Sequence, residues 1–293
     1  MRPWKLSLLL SLSLVIGGYA ERNAVEEKNP YSTEWSQLYE GIDFRRASSE
    51  EKRLQKVCVL RIDTQQEELC FYTTGRHKNF KDTDSETERE TASDFLTEHQ
   101  LLAAVNANFY SPFNSHTRTT RGPSNVIGLA VSEGELVSKA QEEYPSFTVS
   151  SNKVCKIGII KPGDSLEGIR TAVAGNAIVL KNGEITHQES DDVHPRTAIG
   201  ISQDGRYVYL MTIDGRQPGF SMGASLEEVG KWLKSFGAWE GLNLDGGGST
   251  TMVVRGENGK AKVMNVPIGN ANIPGYLRHN ANHIGVRKLS EEK

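Results

Sequence analysis

Short β-branched and aromatic runs broken by glycine-bearing turns recur along most of this chain, and that punctuation constrains its fold more than any other feature. Residues 126–138 fold back about Glu133-Gly134, and residues 177–185 about Asn182-Gly183. Such pairs accept the positive φ that two-residue hairpin turns demand. Residues 197–202 and 207–213 are strands joined by Gln203-Asp204-Gly205-Arg206, and residues 251–255 and 262–266 flank a turn at 257–259. Residues 147–160 give more strand, and residues 57–62 and 68–72 read as two strands about a polar turn. Two stretches carry helix signals instead. Ser225 and Glu228 form a capping box ahead of an apolar stripe of Leu226, Val229, Trp232, Leu233 and Phe236, with Gly237 at the stop. Thr91 and Asp94 have the same spacing ahead of residues 92–104. The expected class is α+β: a largely antiparallel or mixed β-sheet core with a few flanking helices.

The first 20 residues read as an address. Arg2 and Lys5 precede an apolar run, and Gly18-Tyr19-Ala20 offers small residues for cleavage. The run is short for a bilayer span, so a signal peptide over 1–20 and no stable membrane anchor after cleavage are expected. A secreted or periplasmic location follows from that reading. Residues 21–53 are polar with scattered aromatics and are expected to form an N-terminal arm lying on one domain, residues 54–293. Loss of Arg2 and Lys5 takes the formal net charge from −3 to −5, which argues against general nucleic-acid binding. The three cysteines, Cys58, Cys70 and Cys155, fit no zinc spacing. Cys58 and Cys70 could face each other across a hairpin, or all three could be buried thiols.

The strongest candidate for chemistry is Asn243-Leu244-Asp245-Gly246-Gly247-Gly248-Ser249-Thr250. A strand delivers Asp245 to its end, and three glycines then let backbone approach a ligand closely. Their amides could form an anion nest, with Ser249 and Thr250 adding hydroxyl donors. A tight turn with a capping aspartate is the plainer alternative, although one or two glycines suffice for that. No lysine follows the glycines, so this is not a nucleotide phosphate loop. The second segment is His194-Pro195-Arg196-Thr197, where an arginine suited to bidentate phosphate contact enters an apolar strand. The third is Asp214-Gly215-Arg216, which otherwise reads as a solvated turn. The polar loop 111–125 is long for a connection, and long loops often serve a site. No His-Glu-x-x-His helix or spaced histidine set is present.

In order, Asn106-Ala107-Asn108-Phe109-Tyr110, Arg196 to Gly200, Asp214 to Arg216, Asn243 to Ser249, Asn265-Val266-Pro267 and Arg278 resemble the phosphodiester glycosidase family. That family includes the animal uncovering enzyme, which removes N-acetylglucosamine from a phosphodiester. The resemblance spans roughly residues 100–287, and the chain resembles the compact bacterial members. Asn108-Phe109-Tyr110 departs from the family's Gly-Phe-Phe. The resemblance implies hydrolysis of a sugar-1-phosphodiester through an oxocarbenium-like transition state. Asp245 is then expected as nucleophile or general base, with Asp214 as partner. Arg196, Arg216, Arg278 and the amides of Gly246, Gly247 and Gly248 would hold phosphate, helped by Thr197, Ser249 and Thr250. Asn108 and Asn243 would position sugar hydroxyls, and Phe109 or Tyr110 would pack on a sugar face. The partner is a phosphorylated glycan or sugar phosphodiester, and no cofactor is required. Two other readings use the same residues: a non-catalytic binder of phosphorylated glycans, and a phosphodiesterase cutting P–O with a divalent metal on Asp214 and Asp245.

Overall fold

The computed structural model describes residues 34–80 and 84–289. The expected signal segment and the first part of the expected arm lie outside the described residues. The strand signals resolve into one eight-stranded, two five-stranded and one three-stranded sheet, with every strand pair antiparallel. The largest sheet runs, in spatial order, Ser36–Tyr39, Ile42–Ser49, Gln55–Asp63, Tyr207–Ile213, Arg196–Ser202, Ala238–Asn243, Ala177–Lys181, Glu184–Ile185. Residues 36–49, expected as arm, are therefore an edge strand and its neighbour, with Ile42, Phe44 and Ala47 turned to buried positions.

Strand alternation sorts the large sheet's two faces. Leu60, Ile62, Ile199, Ile201, Val208 and Leu210 face the main core. There they meet Val105, Met252, Ile284 and Val286 from one five-stranded sheet and Phe147, Val149 and Val173 from the other. Val57, Val59, Ala198, Tyr209, Met211 and Ile213 face the opposite way, onto α2 (Leu226–Phe236) through Val229, Leu233 and Phe236. Leu233 is fully buried, and burying a side chain of that size contributes roughly 1.5–3 kcal/mol. The other helix, α1 (Ala92–Glu98), places Phe95 and Leu96 against Tyr72, Ala104 and Val253 of the five-stranded sheet that carries Val105. The result is a β-rich sandwich with a helix on each outer face.

The local signals act as expected. Ser225 and Glu228 complete a reciprocal capping box, and Gly237 ends α2 at φ 105°. Asn182 and Gly183 turn at φ 52° and 73°. The first helix stops at Glu98 rather than Ala104, because Gln100 takes φ 53° and residues 103–106 enter a sheet. The strands Gln55–Asp63 and Leu69–Thr73 form but do not pair with each other; they belong to different sheets. Cys58 and Cys70 accordingly remain free thiols, as does Cys155.

Candidate active site

The Ala238–Asn243 strand leads through Leu244 into Asp245 and a 3-10 turn, Gly247–Ser249. Backbone bonds fix this junction: Leu244 N–H donates to Thr197 O at 2.8 Å, Asp245 N–H to Ala107 O at 2.9 Å, and Gly247 N–H to Pro195 O at 2.8 Å. Asn106, fully buried, ties three segments together. Its Nδ2 donates to the Asp245 carbonyl at 2.6 Å, and its Oδ1 accepts from Thr197 Oγ1 at 2.7 Å and Thr251 N at 3.1 Å.

The glycine triplet is not an open nest of three amides. The Gly247 amide is engaged by Pro195. The glycines provide clearance instead. A Cβ at Gly246 would lie 2.6 Å from Pro195 O, one at Gly247 3.3 Å from Arg216 Nη1, and one at Gly248 2.2 Å from Arg278 Nη2. Gly247 also takes φ 61°, where a Cβ is strained. Two arginines thus approach the turn because it has no side chains.

A cleft of about 600 Å³ opens over this turn, and Asp245 lines it with Arg196, Arg216 and Arg278. Arg278 is buried; its Nε donates to Gly269 O at 3.0 Å and its Nη1 to Ser249 Oγ at 3.2 Å. Burial raises the Asp245 pKa to about 6, against the lowering by Ser249, Arg278 and the Gly246 amide. Arg196 is also buried, with Nε on Ala224 O at 2.8 Å and Nη2 on Asp192 O at 3.1 Å. Arg216 sits at φ 56°, exposed, with Nη2 2.9 Å from His194 Nδ1. His194 Nε2 is 2.8 Å from Asp192 Oδ1. Burial, then Arg196, lowers the His194 pKa, so the ring is neutral near pH 7, accepting from Arg216 and donating to Asp192.

Asn243, Phe109 and Tyr110 line the same cleft. Asn243 Nδ2 donates to Asn176 Oδ1 at 2.8 Å, while its buried Oδ1 has no hydrogen-bond partner. A buried acceptor left unpaired costs free energy. Tyr110 donates its hydroxyl to His279 O at 3.0 Å.

Five expected residues do not line the cleft. Asn108 is a staple: its Nδ2 donates to Ile127 O and Leu129 O at 3.0 and 3.1 Å, and its Oδ1 accepts from Ala174 N at 3.0 Å. Thr197 is spent on Asn106. Ser249 works from beneath, and the Thr250 hydroxyl is buried with no partner. Asp214 is buried away from the lining, where its Oδ1 accepts from Asn265 Nδ2 at 2.9 Å and Val266 N at 3.0 Å. Burial raises its pKa to about 7. The carboxylate that was expected to partner Asp245 instead fastens the 265–266 segment. Among the described residues no group of three or more His, Cys, Asp or Glu side chains is gathered to hold a metal ion.

The cleft adds residues to which the sequence reading gave no role: Asp192, His194, Asn176, Tyr144, Phe113 and Arg118. The signals for three of these were positional. His194 immediately precedes Pro195-Arg196, and Phe113 and Arg118 lie in the overlong loop 111–125.

Known proteins share this arrangement of chain. The phosphodiester glycosidase family profile matches residues 99–287. Mouse N-acetylglucosamine-1-phosphodiester alpha-N-acetylglucosaminidase is 26% identical over 152 residues, which cover 44% of this chain and 29% of the mouse protein. The match thus spans less than a third of that relative's length. The catalytic domain of the zebrafish N-acetylglucosamine-1-phosphodiester alpha-N-acetylglucosaminidase, auto-inhibited by its pro-peptide, aligns with TM-score 0.66 at 20% identity, covering 85% of this chain and 83% of that one. A hypothetical protein from Synechocystis aligns with TM-score 0.56 at 14% identity, over 86% and 63% of the two chains. At these identities the two structures establish the shared fold. The profile match, which covers well over half of the sequence, establishes that the chain belongs to the phosphodiester glycosidase family.

Proposed function

We propose that this protein is a glycoside hydrolase that cleaves sugar-1-phosphodiesters of glycans or glycoconjugates outside the cytoplasm. The observation that carries the reading is a single partly buried carboxylate, Asp245, beside a glycine turn that Arg216 and Arg278 closely approach. The guanidiniums hold the phosphoryl oxygens and stabilise the charge that grows on them. Asp245 acts at the anomeric carbon, as nucleophile or as the base that takes a proton from water. The C1–O bond breaks, its electron pair leaves with the phosphate, and water oxygen ends on C1. Phosphate is a good leaving group, so one carboxylate suffices where ordinary glycosides need two. Asn243 helps position the sugar, and Phe109 and Tyr110 pack against the ring. No cofactor takes part in this scheme.

The test is hydrolysis of an α-N-acetylglucosaminyl phosphodiester in ¹⁸O-labelled water, with mass spectrometry of both products. Label in the sugar is expected. Label in the phosphate means P–O cleavage and overturns the scheme.

A further inference from the structure

The cleft carries more positive charge than one phosphodiester requires. Arg118, Arg196, Arg216 and Arg278 line it, against the carboxylates of Asp192 and Asp245. Among the described residues none of these four arginines has a carboxylate within 4.0 Å. Two of them, Arg196 and Arg278, are each only 8% exposed. An unpaired buried guanidinium is costly until an anion meets it. With both carboxylates ionised the surplus is two positive charges, and one bound phosphodiester neutralises only one.

The position of Arg118 indicates where the second charge goes. The exposed Phe113 ring carries Arg278 at 5.0 Å from its centroid and Arg118 at 5.6 Å. Both guanidiniums therefore contact one aromatic ring at the cleft. The loop that carries Phe113 and Arg118 is anchored. Arg89 Nε donates to Thr117 O at 3.1 Å and Arg89 Nη1 to Ser124 Oγ at 2.9 Å. Arg121 pairs with Glu98, His279 N–H donates to Arg118 O at 3.1 Å, and Asn114 Oδ1 accepts from Thr117 N at 3.0 Å. Arg118 Nε itself donates to Asn114 O at 3.3 Å. The guanidinium is thus held by one edge on an ordered loop.

We propose that Arg118, seated on Phe113, forms a second anion subsite next to the scissile phosphate, and that the leaving group carries an adjacent phosphoryl group, as in a sugar 1-diphosphate ester. This rests on the sugar-1-phosphodiester reading and extends it to the leaving group. The balance is unchanged: C1–O breaks, water supplies the new C1 hydroxyl, and the diphosphate departs with the electron pair.

Anion binding tests this whatever the sugar is. Inorganic phosphate and inorganic pyrophosphate are titrated calorimetrically into the wild-type protein and Arg118→Gln at one ionic strength near neutral pH. Pyrophosphate is expected to bind the wild type at least about ten-fold more tightly than phosphate, with Arg118→Gln losing most of that preference and keeping its phosphate affinity. Equal affinities in the wild type overturn the second subsite and leave the phosphodiester reading standing. A preference retained in Arg118→Gln, or an equal loss for both anions, overturns the role of Arg118. Failure of the folded wild type to bind either anion overturns both readings.

Discussion

Gly248→Ala probes the site through its tightest contact. The new Cβ would lie 2.2 Å from Arg278 Nη2, 2.7 Å from its Cζ and 3.0 Å from the Ile268 carbonyl. Gly248 is not among the positive-φ glycines, so the backbone conformation accepts alanine and the cost lies in the contact. Arg278 cannot swing away freely, because Gly269 O, Ser249 Oγ and the Phe113 ring hold it. Overpacking of this kind costs about 1–3 kcal/mol. Loss of a charge-assisted contact to phosphate costs roughly 1.5–3 kcal/mol. If the guanidinium moves, kcat/KM on a sugar-1-phosphodiester should fall on the order of 10- to 100-fold, at about 1.4 kcal/mol per factor of ten. Phosphate affinity should fall with it, and Tm should drop by several degrees at most. Gly205→Ala is the control: φ is 73° with nothing within 4 Å, so strain alone acts, far from the cleft residues. Gly248→Ala with kcat/KM and phosphate affinity within about two-fold of wild type would refute the clearance role of the triplet.

Asp245→Asn should lower turnover on the order of 10²- to 10⁴-fold while leaving phosphate binding intact. Because burial raises the Asp245 pKa to about 6 and the reactive form is ionised, wild-type kcat/KM should fall as pH drops through about 6; a flat profile across that range contradicts the assignment. Glu90 offers a stability test away from the cleft. Burial, then the neighbouring Glu98, raises its pKa to about 8, and its Oε2 accepts no hydrogen bond. Its folded pKa exceeds the ordinary 4.5, so its contribution to stability is present at low pH and is lost as pH rises toward about 8. Glu90→Gln should therefore raise Tm relative to wild type above about pH 8 and change it little near pH 5; thermal melts showing the same difference at both would reject this.

What the sequence made legible was local. Asn182-Gly183 and the Ser225–Glu228 box work through atoms within four residues of each other, so their outcome depends little on the rest of the chain. Pairing is not local. Residues 55–63 and 69–73 have strand composition, but they do not pair with each other: 55–63 lies between 42–49 and the distant 207–213, 69–73 pairs with the distant 283–288, and the hairpin that would have joined Cys58 to Cys70 does not form. Residues 36–49 looked like an arm because edge strands are polar on the exposed side, yet Ile42 and Phe44 already alternated toward the core.

The site repeats this division at finer scale. Asp214-Gly215-Arg216 is a cleft motif, but the chain turns within it. Arg216, at φ 56°, reaches the cleft, while the Asp214 carboxylate accepts from Asn265 and Val266 behind it. The glycine triplet signalled close approach without saying what approaches. The answer, two guanidiniums and the Pro195 carbonyl, comes from segments 195, 216 and 278 that only the fold brings together. A motif can nominate an arginine as a phosphate ligand, but whether that arginine is already paired depends on every neighbour it meets. Arg196 and Arg278 are buried on backbone carbonyls and a serine hydroxyl, with no carboxylate partner among the described residues. That unpaired state, more than the identity of the motifs, is what the proposed anion site rests on.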